Sequence, residues 1–254
     1  MPQDISGYDV GALLYCPANA HHTVAQAVAA ERLPRPFSLA LCLEDTVRAD
    51  ALAAAEQVVE QTLHDLTDTA RQETFYRPLT FVRVRSPEQL ARLGRAYGKY
   101  RPLLTGFILP KFFIETCGAY CAVIRDLQAD ELDYFYMPVF EAPSMLPLHT
   151  RHAALAEVKA QLDALRECIL NIRVGGNDLC HVFGLRRDPG HTIYDLRPVA
   201  DVLTDLLTTF APDYLVAGPV WEYYDGPGWA EGLAQECALD RLNGFVGKTV
   251  IHPK

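Results

Sequence analysis

Short, nearly unbroken apolar runs alternate along this chain with longer stretches in which apolar residues recur every three or four positions. The runs are ALLYC (12–16), FSLALCL (37–43), LTFVRV (79–84), TGFILP (105–110), DYFYMPVF (133–140), ECILNIRV (167–174), DYLVAG (213–218) and FVGKTVIH (245–252). Runs of this length without polar alternation predict strands covered on both faces, as in a parallel sheet. Between them TVAQAVAAERL (23–33), ADALAAAEQVVEQTLHDL (49–66), PEQLARLGRAYGKY (87–100), RHAALAEVKAQLDALRE (151–167) and AEGLAQECALDRL (230–242) carry helical periodicity. Ser86-Pro87-Glu88 marks a helix start with proline in the first turn. Eight β/α alternations in 254 residues predict a (β/α)₈ TIM barrel. A doubly wound open sheet is the alternative, but no GxGxxG follows the first strand. With no repeat, low-complexity tract or linker, residues 1–254 are expected to form one domain. The one long irregular segment, GLRRDPGHTIYDLRP (184–198), predicts a loop that either covers the mouth of the barrel or is an ordinary surface excursion.

Composition narrows the function classes. Half the residues are hydrophobic, enough for a large core, and the formal net charge is −9. Such a balance argues against a nucleic-acid or anionic-membrane surface. The N-terminal MPQDISGYDV has neither a basic nor an apolar leader region, and no apolar run approaches a membrane span, so a cytoplasmic protein is expected. The seven cysteines contain no CxxC and several lie inside apolar runs, which reads as reduced core thiols. Cys117 and Cys121, four apart on an expected helix, would chelate a metal only with a second pair that the sequence lacks.

Charge gathers where the strands stop. Glu141 follows FYMPVF and Asp178 follows LNIRVGG, and acids just beyond the C-terminal ends of buried strands face the mouth of a barrel. Two hard oxygen ligands from successive strands suit Mg²⁺ (or Mn²⁺) while leaving positions for water and substrate. Glu44-Asp45, Arg83, Arg85 and Lys111 repeat the arrangement on earlier strands. Plainer roles exist for several of these: Glu44-Asp45 as acids in a helix first turn, Asp178 as a helix cap, and one of the two arginines as an ion-pair partner. His149 and His152 suit a helix start on the surface better than a metal, and His21-His22 is a candidate proton donor near the first strand. His252 ends the last strand in a structural role. Trp221, Tyr223 and Tyr224 would line a pocket for a planar ligand or cover the rim, and Asp225 would serve the site or cap a helix.

Seven segments in order resemble the citrate lyase beta-subunit and malyl-coenzyme-A lyase group of the HpcH/HpaI aldolase superfamily. LYCPAN (14–19) resembles its first strand and turn, LCLEDTV (41–47) its L-E-D-A-V, FVRVRS (81–86) its R-V-N strand and GFILPK (106–111) its G-I-x-L-P-K strand. FEAPSML (140–146) and GGNDLCHVFG (175–184) are similar to the segments supplying the metal-binding Glu and Asp, and GFVGKTVIHP (244–253) to the closing signature. The resemblance implies a Mg²⁺-dependent carbon–carbon lyase or aldolase acting on a small hydroxy or keto acid, or its coenzyme A thioester, and a homo-oligomer, a trimer or hexamer. It implies Glu141 and Asp178 as metal ligands and Arg83 facing the oxygen that becomes negative in the enolate. Glu44 and Asp45 would order metal-bound water or position Arg83, with Lys111 beside the same mouth as an ion-paired lysine rather than a Schiff base.

Three departures bear on that expectation. The basic pair that precedes the first strand in many relatives is replaced by SGYDVGALLY (6–15), EAPSM replaces E-T-x-x-G, and the sequence ends at HPK before the segment that closes the mouth in the lyases. Two rival readings follow: a thioester hydrolase on the same scaffold, or a catalytically silent barrel serving as a subunit of a biosynthetic complex.

Overall fold

The computed structural model describes residues 5–18 and 24–253. Its strands are β1 (Ala12–Pro17), β2 (Ser38–Cys42), β3 (Thr80–Arg83), β4 (Leu104–Leu109), β5 (Phe135–Phe140), β6 (Ile172–Val174), β7 (Val216–Ala217) and β8 (Lys248–Val250). All eight fall within the apolar runs and their immediate margins. They pair in parallel in the order β7-β6-β5-β4-β3-β2-β1-β8, and an isolated parallel bridge from Gly218 to Lys248 joins the two ends. The result is a (β/α)₈ barrel, as expected.

The helices outside the barrel are α1 (Val24–Ala29), α2 (Leu52–Gln72), α3 (Pro87–Ala96), α4 (Cys117–Ala129), α5 (Leu148–Asp163), α6 (Gly176–Val182), α7 (Arg197–Phe210) and α8 (Trp229–Asn243). Each long helix buries one stripe: Val59, Leu63 and Leu66 on α2, or Val202, Leu206 and Phe210 on α7. α3 starts as predicted, with Pro87 in its first turn and the Ser86 hydroxyl accepting a hydrogen bond from the Gln89 amide at 3.3 Å. α1 is shorter than the expected 23–33. Glu31 takes a left-handed φ of 51°, and Pro34 and Pro36 follow.

Two cores result. The larger lies between sheet and helices, and the smaller fills the barrel with Val10, Leu13, Ala40, Phe81, Ile108, Phe135, Met137 and Val139. The parity of the strands makes each inward row change character from floor to mouth. Phe81 is followed by Arg83, Ala40 by Cys42, and Phe135, Met137 and Val139 by Glu141. A short 3₁₀ turn, Gly7–Val10, closes the floor, its Gly7 against the Leu170 carbonyl. Among the described residues no helix is long and apolar enough to cross a membrane.

Candidate active site

At the C-terminal ends of the strands lies a cavity of about 460 Å³ lined by Tyr15, Cys42, Asp45, Arg83, Glu141, Arg173, Asp178 and Thr249 among others. That size suits a small organic ligand. Another cavity, around Asn177, His181, Arg186 and Glu222, lies beside it and shares Asn177.

Glu141 enters the mouth as the residue after β5 and is 2% exposed. It is seated against bare backbone: a Cβ added at Gly175 would stand 2.2 Å from its Oε2 and 2.4 Å from its Cβ. The glycine after β6 is therefore required by the carboxylate beside it. Burial pushes the Glu141 carboxyl up to about 8; Arg83 pulls it down, and the charge and hydrogen bond of Asp178 push it up again. Asp178 is the third residue of α6, which starts at Gly176 after the cap Gly175, so it lies in the first turn rather than at the cap. The two expected ligands thus meet, as neighbours in one polar mouth.

Arg83, the last residue of β3, is 93% removed from solvent. Its Nη2 lies 2.8 Å from Glu141 Oε1, 3.0 Å from Glu44 Oε2 and 3.4 Å from Asp45 Oδ2, while its Nε has no hydrogen-bond partner. The guanidinium also stands over the Tyr15 ring at 5.6 Å. Surrounding carboxylates outweigh the effect of burial and hold it firmly charged. Glu44 and Asp45 act as a pair. Burial and the hydrogen bond to Asp45 push Glu44 up, against the pull of Arg83 and Lys111. Burial also acts upward on Asp45, but the bond to Glu44 and the charges of Arg83 and Lys111 bring it below the ordinary range.

Lys111 follows β4 with a left-handed φ of 49°. Its backbone amide donates to Glu141 Oε1 at 3.1 Å, and its Nζ reaches Glu44 at 2.6 Å and Asp45 at 3.3 Å. Burial acts against its charge, but the bond and charge of Glu44 and Asp45 win and raise it, so it is an ion-paired lysine and a poor amine nucleophile.

Other candidates separate from this group. Arg85 lies beyond the end of β3, where the alternation with Arg83 is lost, and its guanidinium donates to the carbonyls of Leu43, Glu44 and Val47. It braces the Glu44 loop. His152 meets Asp205 at 3.3 Å on the surface. Trp221 is buried beneath Arg187, and Tyr224 stacks on His252 with centroids 4.5 Å apart, so these aromatics form rim structure. Asp225 caps its own turn at the Gly226 amide. All seven cysteines are unpaired, six of them buried. Asn19 and His21-His22 lie outside the described residues. The segment 184–198 is irregular as expected, but it is fastened: Arg187 is 3.2 Å from Glu236 and the Ile193 amide donates to Glu236 at 2.8 Å.

One charged lining residue escaped the sequence reading. Arg173, in the middle of β6, is 2% exposed and has no carboxylate partner among the salt bridges of the described residues. The signal was strand parity. Arg173 pairs in register with inward-facing Val139, which turns its side chain into the barrel.

The residues fit a magnesium-type cation. Two hard carboxylates, one of them strained toward its protonated form by burial, leave room for water and substrate, and Mg²⁺ commonly takes only one or two protein carboxylates. Among the described residues no group of three or more His, Cys, Asp or Glu side chains is arranged to hold a metal ion.

Residues 4–254 match the model of a family described as C–C bond lyase of the TIM-barrel fold. No curated protein sequence matches the chain. Solved structures that share its fold include three from different organisms. RipC from Yersinia pestis is 17% identical over 98% of this chain and 92% of its own, with a TM-score of 0.63. CitE from Mycobacterium tuberculosis, in complex with magnesium, acetoacetate and coenzyme A, is 21% identical over 97% and 78%, with a TM-score of 0.65. Haloferax volcanii malate synthase, in a ternary complex with pyruvate and acetyl-CoA, is 11% identical over 100% and 68%, with a TM-score of 0.67.

Proposed function

Since the chain belongs to the C–C bond lyase family of the TIM-barrel fold, we propose that it is a cytoplasmic, Mg²⁺-dependent lyase or aldolase of the citrate lyase beta type. It would cleave or form a small hydroxy or keto acid, or its coenzyme A thioester. The observation that carries this reading is the convergence of Glu141, Asp178 and Arg83 on one cavity at the mouth of the barrel. Magnesium and coenzyme A in the CitE complex, and pyruvate with acetyl-CoA in the malate synthase complex, support the substrate class.

Glu141 and Asp178 would hold the cation, which when bound supplies a Lewis acid for the substrate carbonyl. Breaking a carbon–carbon bond beside a carbonyl leaves charge on an enolate oxygen, and fixed donors lower the barrier only if they stand where that charge forms. Arg83 meets this need. Its Nη2 is held by three carboxylates, so the guanidinium is fixed before substrate arrives and its unpartnered Nε remains to donate. Glu44, Asp45 and Lys111 are its supports: they orient Arg83 and balance charge around it. No lysine adduct is needed. Assembly as a trimer or hexamer belongs to the same proposal and is read by light scattering.

The deciding experiment incubates the protein with Mg²⁺ and a panel of free hydroxy and keto acids and acyl-coenzyme A esters, with products identified by mass. Two carbon fragments, or their condensation, is the expected outcome. A free thiol with an intact acid would instead establish a hydrolase. Failure to take up Mg²⁺ or Mn²⁺ by calorimetry, with no substrate consumed, would leave a silent barrel.

A further inference from the structure

Arg173 is a buried cation with no counter-charge. Its Nη2 donates to the Thr249 hydroxyl at 2.7 Å, its Nη1 is 3.5 Å from Asn171 Oδ1, and its Nε has no hydrogen-bond partner. The Tyr15 side chain lies beside it in the same cavity wall. Every one of these partners is neutral. A guanidinium removed from water costs several kcal/mol unless an anion accompanies it, and Arg83, the other arginine of the cavity, has three acids around it.

The neighbours are oriented to complete the anion's seat. Thr249 and Tyr15 both line the cavity. Because Arg173 donates to the Thr249 oxygen, the hydroxyl hydrogen of Thr249 is left to point at a third acceptor, and the Tyr15 hydroxyl stands in the same wall as a further donor. The result is a convergence of N–H and O–H donors carrying one positive charge, on β1, β6 and β8. It lies deeper than the carboxylate pair: Arg173 is in register with Val139, two residues before Glu141, a step of roughly 6.6 Å along the strand.

We propose that Arg173, Tyr15 and Thr249 form a carboxylate-binding seat at the cavity floor, so that the substrate is a short-chain diacid or its monothioester. One end would lie at Glu141 and Asp178 and a carboxylate at the other would neutralise Arg173. The choice of a diacid rests on the lyase reading, whereas the seat itself stands on geometry alone. Arg173 is then a specificity-determining residue, selecting against acids that end in a methyl group.

The test is ligand-induced thermal stabilisation of the metal-free protein at constant ionic strength, using acetate, succinate, 2-oxoglutarate, 2-oxopentanoate and inorganic phosphate as probes. A ligand that binds only the folded state raises Tm saturably. Carboxylates are expected to do so, and Tyr15→Phe and Thr249→Val, which remove one hydroxyl each, should weaken the apparent affinity at least threefold. Arg173→Met should abolish the effect; if it does not fold, the two hydroxyl variants decide. Glu141→Gln should leave the acetate response intact. With Mg²⁺ present, 2-oxoglutarate should bind at least tenfold more tightly than 2-oxopentanoate. The seat is overturned if no carboxylate stabilises the wild type, if the response survives in a folded Arg173→Met variant, if the apparent affinity is unchanged in both hydroxyl variants, if Glu141→Gln abolishes the response, or if phosphate outcompetes the carboxylates. Preference for 2-oxopentanoate overturns the diacid. A chain that binds acetate through Arg173 yet takes up no Mg²⁺ would sink the lyase reading and leave the seat standing.

Discussion

Glu141 is buried among the charges of the mouth, and its behaviour tests the site without a substrate. In the unfolded chain its carboxyl titrates near the ordinary value of about 4.3; in the fold burial moves it up to about 8. Between those values the native state holds more protons than the unfolded state, so metal-free stability should fall as pH rises, by on the order of a few kcal/mol in all. Urea unfolding in EDTA across that range measures the slope, and Glu141→Gln should flatten it. A slope that persists in the variant would place its origin elsewhere. Asp178→Ala should abolish Mg²⁺ uptake by calorimetry and turnover while urea unfolding stays cooperative, since the side chain is half-buried and carries no packing stripe; turnover at the wild-type rate would refute its role. Gly175→Ala should cost more than an ordinary glycine replacement. The added methyl would overlap the Glu141 side chain, so a loss of about 1–3 kcal/mol is expected, as for an overpacked core, together with loss of Mg²⁺ uptake.

The 184–198 segment shows where sequence reading stops. Its glycines, prolines and charges made the absence of regular structure legible as far as Leu196, where Ile193–Asp195 add a single 3₁₀ turn; Arg197 and Pro198 already open α7. What the pattern could not convey is that the segment is pinned by ionised residues scattered far along the chain. Glu236 on α8 holds Arg187 at 3.2 Å and Lys248 at 3.0 Å; Asp240, one turn on, takes Lys248 at 2.5 Å and the Tyr194 hydroxyl at 2.7 Å. Two acids against two bases leave the buried group balanced. Glu236→Gln would leave Arg187 and Lys248 with a single carboxylate in a dry setting, and removing one member of such a group costs about 3–5 kcal/mol. Chemical denaturation should show that loss. Because the group supports a rim segment rather than the cavity, KM and kcat below the melting range should move far less than in Asp178→Ala. Arg83 and Glu141 were readable because strand ends announce themselves. Arg173 was not, because a charge in the middle of an apolar strand looks like an interruption until the neighbouring strand fixes its direction.

The barrel as a whole is unevenly tied. β1 to β5 pair over four or five registered positions at each junction, whereas β7 has two residues and meets the β8 side through Val246 N to Val216 O, Gly218 N to Gly247 O and one bridge. Amides at Val246 and Gly218 are therefore expected to exchange with deuterium before those of Leu39–Leu41 and Phe107–Leu109, by local opening; uniform protection would contradict it. The eight-strand order was legible because each strand is a separate apolar run. The weak junction was not, since DYLVAG and FVGKTVIH look as apolar as the rest and only register reveals how few of their residues pair. The route of the backbone has a practical corollary for anyone handling the protein. Val10 packs into the floor with Phe81 and Ile108, while Ile251, just past β8, lines the cavity at the other end. A fluorescent reporter placed at the exposed Ile251 would sense a ligand entering the cavity, whereas one placed at Val10, sealed beneath the filled barrel, would not.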